Sequence, residues 1–158
     1  MAKLIILTVL AVVSGAWCYS AGAPESVCDD MTPKHPVEPQ KSKLPYTVSV
    51  NKKEVNAGDV VEITVGGKPF KGVLLQVREG NKAVGSFLIP DDDKYTKAIT
   101  CHGNKGSAAT HKNSTDKKDL VFKWKAPQAS GNYVVYLTAA QDGGVFWVAK
   151  PTQTIKVK

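Results

Sequence analysis

Arginine is almost absent from this basic chain. Of its 21 basic residues, Arg78 is the only arginine and the rest are lysines, and the formal net charge is +7 over 158 residues. An arginine fork recognises phosphate at two points, whereas a lysine supplies a diffuse point charge. The composition therefore argues against sequence-specific nucleic-acid binding, so no nucleic-acid partner is expected, and favours a soft attraction to anionic surfaces.

Long apolar runs are missing everywhere except at the start of the chain. There Lys3 precedes an apolar run from Leu4 to Val13, and small residues follow at 14–16. This layout is typical of a secretory signal peptide and is too short to span a bilayer. We expect a secreted, extracellular protein with no integral membrane span.

The cleavage site has two candidates. Ala16 and Cys18 suit the positions before the cut, which makes residues 1–18 the signal peptide and residues 19–158 a single domain. A cut after Ala16 would instead leave Trp17 and Cys18 on the mature chain.

Cysteines are few. Loss of Cys18 leaves Cys28 and Cys101, an even number that suits an oxidising compartment. A Cys28–Cys101 disulfide would close a long loop, although the two cysteines could also form bonds between chains.

Catalytic signatures are lacking too. The chain has no nucleophile-elbow motif and no phosphate-binding loop, and a disulfide would remove both cysteines as nucleophiles. The three histidines, with Cys101 and the run 91–93, match no common zinc spacing. We therefore predict a protein that is not an enzyme, with no metal and no cofactor. We expect His35 and His111 to hydrogen-bond to backbone near the disulfide; the remaining histidine is His102.

The chain contains a series of short segments in which apolar and polar residues alternate. Tyr46, Val48 and Val50 alternate with polar residues, and later segments repeat the pattern, while 70–78 is a nearly continuous apolar strand. Further strands are expected near 61–65, 83–89, 120–125, 133–137, 146–148 and 155–157. Seven or eight strands with Gly and Pro turns predict an all-β fold, an immunoglobulin-like antiparallel β-sandwich. The longest loop is expected over 90–118.

Several separated motifs resemble the reeler domain, the module at the N-terminus of reelin. The densest match is 70–78, Phe-Lys-Gly-Val-Leu-Leu-Gln-Val-Arg. Cys28 with the residues after it, Cys101, Thr110-His111, the run 121–127 and the aromatic pair Phe146-Trp147 agree in order, whereas Ala57-Gly58 stands where the family more often has Pro-Gly. With this one domain only, the chain resembles the insect defence proteins, the family that includes the moth nodulation protein noduler.

The resemblance implies a secreted innate-immune protein. Such a protein binds microbial surface components, such as lipopolysaccharide or teichoic acid, and blood cells, and promotes antibacterial responses such as nodulation. Two other functions stay open on the residues alone: an extracellular adhesion or matrix-binding module, and a carrier of a small apolar ligand between the sheets.

Two features are candidate sites. Five lysines in or after the polar loop form a candidate site for anionic polymers, with Trp147 or Tyr136 as apolar neighbours: Lys112, Lys117, Lys118, Lys123 and Lys125. Asn113-Ser114-Thr115 is a glycosylation sequon, which predicts a glycan on Asn113 in an exposed loop.

Overall fold

A computed structural model describes residues 19–158, so the predicted signal peptide lies outside the described residues. The strands are β1 Tyr46–Val50, β2 Glu54–Val55, β3 Val60–Gly67, β4 Gly72–Glu79, β5 Lys82–Ala83, β6 Ser86–Phe87, β7 Thr96–Cys101, β8 Asn104–His111, β9 Leu120–Lys125, β10 Gly131–Ala140 and β11 Phe146–Val157. One 3₁₀ turn, Glu25–Val27, precedes them.

The strands form two sheets that face each other. The smaller sheet has the order β1-β3-β9-β6, and the larger has the order β2-β11-β10-β4-β8-β7 with β5 beside β4. All pairs are antiparallel except β2 with β11. The predicted all-β sandwich is confirmed.

The core between the sheets is built by the predicted alternation. Ile63 and Phe122 point inward from the small sheet, and Leu75, Val135 and Leu137 point inward from the large sheet. Each inward side chain is flanked in sequence by outward ones, which is the pleat of a strand with one buried face. Large side chains therefore fill the layer between the two sheets.

The chain passes from the large sheet to the small one at Gly85. This residue has φ +69°, and a Cβ there would lie 2.5 Å from the indole of Trp124. Only glycine fits both the left-handed conformation and the close approach. The predicted strand over 83–89 is therefore two short strands in different sheets.

The large sheet is also buried on its outer face. Residues 19–35 lie across it, and Val27 and Met31 pack with Leu74 and Ala108 in a second apolar cluster. Strand β4 is thus covered from both sides, with six consecutive buried residues. This two-sided burial explains why 70–78 reads as a continuous apolar run instead of an alternation.

The covering segment is fastened at Cys28. The predicted disulfide joins Cys28 to Cys101 on β7, with a Cα–Cα distance of 5.6 Å. The guanidinium of Arg78, only 6% exposed, donates hydrogen bonds to the carbonyl oxygens of Cys28 (2.6 Å) and Asp29 (3.0 Å). It also donates to Gln76 Oε1 at 2.7 Å, and Gln76 Nε2 donates to the Cys28 carbonyl at 3.1 Å. The single arginine therefore has a structural role.

Two further parts of the predicted strand map are wrong. The expected loop 90–118 contains the hairpin β7–β8, whose turn residues His102 and Gly103 have φ of 55° and 75°, as a two-residue primed turn requires. The two strands expected at the C-terminal end are one, β11. It contains Pro151, which is tolerated because the β10–β11 register is irregular beside it.

Removal of the disulfide should lower stability strongly. In the chain-entropy model, a loop of 73 residues contributes about 4 kcal/mol. We expect the Cys28→Ser/Cys101→Ser variant to lose about that amount in urea unfolding. An unchanged unfolding midpoint would contradict the assigned role of the bond.

Arg78→Lys should also destabilise the protein. A lysine cannot bond to Gln76 and to the two carbonyls at once, and lost hydrogen bonds to a buried charged group cost about 2 kcal/mol. Urea unfolding compares the free energy of unfolding of Arg78→Lys with that of a control variant, Lys105→Met, at an exposed position. Equal midpoints would show that the guanidinium does not hold the segment.

Candidate binding surface

The outer face of the small sheet carries an exposed patch that is both basic and apolar. Three of the four exposed large apolar side chains in residues 19–158 lie on it: Val60 (38% exposed), Leu88 (46%) and Val121 (56%). Lys123 and Lys125 are exposed on the same face of β9. We call these five residues the basic apolar face.

Strand register brings the five residues together. Lys125 lies opposite Val60 on β3 and opposite Ser86 on β6. One step along β9, Lys123 lies beside Leu88, whose amide donates to the Lys123 carbonyl at 2.8 Å. Val121 is one further step along the same face, because side chains two apart in a strand point the same way.

The charge of this face is only partly offset. Glu62 lies opposite Lys123 on the neighbouring strand. The lysine ion pairs found within residues 19–158 join Lys156 and Lys158 to Glu54, so Lys123 and Lys125 have no ion-pair partner there. Both ammonium groups are therefore free to meet an external anion.

Lys117 was predicted as a ligand-binding lysine, and the structure contradicts this. It is 3% exposed, and its Nζ donates to the carbonyl oxygens of Lys71 (2.9 Å), Asn113 (2.6 Å) and Thr115 (2.7 Å). Burial lowers the pKa of this ammonium group. Lys117 thus closes the turn 113–117. The alternation of apolar and polar residues in the sequence cannot reveal such a role.

Lys112 and Lys118 do not join Lys123 and Lys125. The Nζ of Lys112 donates to the carbonyl oxygens of Asp91 (2.6 Å) and Asp93 (2.9 Å), and Lys112 follows β8 of the other sheet. Lys118 is exposed but precedes β9, and Asp119, with a φ of 52°, breaks the alternation between Lys118 and the strand. The five predicted lysines are thus not one cluster.

The predicted apolar neighbours are also wrong. Trp147 is buried in the core, and Tyr136 lies under the Arg78 guanidinium, with 5.3 Å from Cζ to the ring centroid. The apolar partners of the lysines are instead Val60, Leu88 and Val121. The exposed position of Val121 between Leu120 and Phe122 was a visible signal, since alternation assigns it to the same face as Lys123.

A second basic feature was missed. A groove of about 560 Å³ lies along the edge strands β6 and β7 and is lined by Lys97, Lys105 and Lys112 with Asp91. Lys97 and Lys105 lie on the β7–β8 hairpin, in a part of the chain that the sequence pattern predicts to be a loop.

The three histidines lie in the N-terminal segment, residues 19–35, or bond to it. His111 accepts a hydrogen bond at Nδ1 from the Val73 amide (3.2 Å), which leaves Nε2–H to donate to the Tyr19 carbonyl (2.9 Å). His111 thus bonds to backbone as predicted, although with Tyr19 and Val73. For His35 the prediction is wrong: its ring packs edge-on against Phe146, and its buried Nδ1 has no partner among residues 19–158. His102 Nε2 pairs with Asp29 Oδ1 at 2.8 Å.

The sequon lies in the turn closed by Lys117. Asn113 Nδ2 donates to the Lys94 carbonyl at 2.9 Å, in an exposed hydrogen bond. A glycan on this nitrogen would replace that bond, and glycosylation of Asn113 stays a prediction.

Comparison with known proteins identifies the family. A sequence profile of the Reeler domain matches residues 26–158. The chain belongs to the reeler domain family.

Relatives of this reeler chain are named as defence proteins. It is 42% identical to the putative defense protein Hdd11 of Hyphantria cunea over 147 residues, 88% of each chain. It is 33% identical to a defense protein of Drosophila melanogaster over 163 residues, covering all of both chains.

Solved structures agree on the fold. The human F-spondin reeler domain superposes with a TM-score of 0.59 at 18% identity, over 76% of this chain and 91% of that one. This likeness supports the sandwich architecture alone. Among residues 19–158, no helix has the length and apolar character needed to cross a membrane.

Two partly buried histidines, His35 and His111, predict a loss of stability in mild acid. Burial lowers the pKa of His111 and of His35 below the usual value near 6.5. As the pH falls through the unfolded-state pKa, the unfolded chain takes up protons that the folded state excludes, so the free energy of unfolding falls from pH 7 towards pH 5. Urea unfolding across this range should show a smaller fall for His111→Gln. An identical pH slope in both proteins would contradict the assignment.

Proposed function

We propose that this reeler protein is a secreted, non-catalytic defence protein that binds anionic microbial surface polymers, such as lipopolysaccharide or teichoic acid, through the basic apolar face. Bound protein would then engage blood cells and promote an antibacterial response such as nodulation. The observation that carries the proposal is the placement of three exposed apolar side chains beside two lysines that have no ion-pair partner within residues 19–158.

The chemistry of the face suits an anionic amphiphilic surface. Each lysine near such a surface is worth about 1 kcal/mol, or roughly a fivefold gain in binding. Exposed apolar side chains that lie together on a soluble protein mark an interaction site. Val60, Leu88 and Val121 can contact acyl or other apolar groups while Lys123 and Lys125 meet phosphates.

The extracellular setting is supported by independent features. The intramolecular disulfide suits an oxidising compartment, the start of the chain has the pattern of a secretory signal, and relatives across nearly the whole chain are named defence proteins. The sequence contains no nucleophile-elbow motif and no phosphate-binding loop that would favour an enzyme.

The test is retention on intact Gram-negative bacteria, Gram-positive bacteria and yeast, with sterile host matrix as the control surface. The Lys123→Ser/Lys125→Ser variant should bind bacteria roughly thirtyfold more weakly than the wild type at low salt, because two lysines are lost. The matched control is Lys52→Ser/Lys53→Ser, which removes the same charge from exposed positions outside the face and should change binding far less. Raising the salt concentration should weaken wild-type binding steeply.

Two results would contradict the proposal. Equal losses in both double variants would show that net charge acts without the face. Equal retention on sterile matrix and on microbes would favour the adhesion module instead.

A further inference from the structure

The N-terminal segment forms a U-shaped arch over the large sheet. Its first leg is held where the Tyr19 carbonyl accepts from His111 and the Ala23 amide donates to Thr110 Oγ1 at 2.9 Å. Its closed end is fastened at Cys28. Its second leg is held where Thr138 Oγ1 donates to the Met31 carbonyl at 2.8 Å.

A cavity of about 200 Å³ lies between the two legs. Val27 and Met31 line its closed end, and Leu74 of β4 forms part of its floor. Most of the lining is apolar. The cavity lies outside the filled layer between the sheets, which is where the carrier function left open by the sequence would place an apolar ligand.

Gly72 keeps the floor of the cavity open. It shares the outer face of β4 with Leu74, and a Cβ at Gly72 would lie 3.2 Å from the Ala140 Cβ and 3.5 Å from the His111 ring. Ala140, opposite Gly72 on β10, is the other small residue of this floor. Larger side chains at these two positions would fill the space.

The open end of the cavity is polar. Gly72 pairs with Ala140 at the end of the β4–β10 ladder, so Lys71 and Asp142 lie at this same end, with Ser114 in the neighbouring turn. Asp142 Oδ1 already accepts from the amides of Gly144 (2.8 Å) and Val145 (2.9 Å). Lys71 and Ser114 are both exposed. Lys71 is bonded to the neighbouring turn through its backbone carbonyl, which accepts from Lys117 Nζ at 2.9 Å, so its ammonium group is available to a ligand.

An apolar cavity of this kind has a chemical preference. Water is poorly held where few polar partners are offered, and an apolar cavity of about 150 Å³ stays dry and binds benzene. By proportion, 200 Å³ accommodates roughly eight carbon atoms.

We propose that the cavity binds a medium-chain amphiphile, with an alkyl chain of about eight carbons between the legs of the arch and a carboxylate at Lys71 and Ser114. This site is separate from the basic apolar face, since it lies on the outer face of the other sheet. Binding here would also stabilise the arch, because the ligand contacts both legs and the floor at once.

The test titrates the folded, oxidised protein with butanoate, hexanoate, octanoate and decanoate by calorimetry. Affinity should rise roughly fourfold for each added methylene that is buried and should stop rising beyond about eight carbons. Octyltrimethylammonium, with the opposite charge, should bind more weakly than octanoate. A saturable octanoate signal should be accompanied by amide chemical-shift changes at Leu74 and Met31.

Filling the cavity supplies the decisive variant. Ala140→Leu should weaken octanoate binding at least tenfold, whereas Ala129→Leu, at an exposed position, should leave it unchanged. If Ala140→Leu does not fold, Gly72→Ala gives a smaller filling with the same expected direction. The proposal is overturned if octanoate does not saturate the wild type, if affinity ignores chain length, or if a folded filling variant binds as the wild type does. None of these results bears on bacterial retention through the basic apolar face.

Discussion

One irregular segment, residues 19–35, covers the outer face of the large sheet, and this cover depends on the bonds that hold the segment to the sheet. Residues 19–35 contain three 3₁₀ residues and no strand, yet they bury Leu74, Ala108 and the disulfide. A segment without ladder hydrogen bonds needs other anchors. The Cys28–Cys101 bond, Arg78 and Gln76 supply them at one point, and the pairs with Thr110, His111 and Thr138 supply them along the legs.

This cover decides which surfaces are left for binding. The larger sheet is buried on both faces over β4, and there its outer face borders the space between the legs of the arch. The smaller sheet has no such cover, and three of the four exposed large apolar side chains found in residues 19–158 lie on it. We therefore propose two different ligand chemistries for opposite sides of one sandwich: an extended anionic surface on one, and a small amphiphile on the other.

Alternation of apolar and polar residues was enough to predict the strands of the inter-sheet core, such as β1, β9 and β10, because each has one buried face. Alternation failed to predict strands whose residues differ little in polarity, and residues whose burial depends on contacts made only in the folded chain. Strands β7 and β8 are built largely from Ala, Thr and Lys, which carry little apolar contrast, and the turn at His102-Gly103 was the one local signal for their hairpin. Lys123 and Lys125 could be placed outward from sequence, whereas the burial of Lys117 follows from three carbonyl oxygens that converge on it only in the folded chain. The cavity likewise depends on contacts between the arch and the sheet that no local pattern encodes.

The most direct test of this account is amide hydrogen exchange, read by mass spectrometry, of the oxidised and the reduced protein under conditions where both are folded. We expect reduction to speed exchange most in peptides from 19–35 and in β7 and β8, because the disulfide holds the segment locally on the outer face. In β1, β3 and β9 we expect a smaller increase, which follows only from the loss of global stability. An increase in residues 19–35 no larger than that in β1, β3 and β9 would contradict this, because the disulfide would then act only through global stability and would not hold the segment in place.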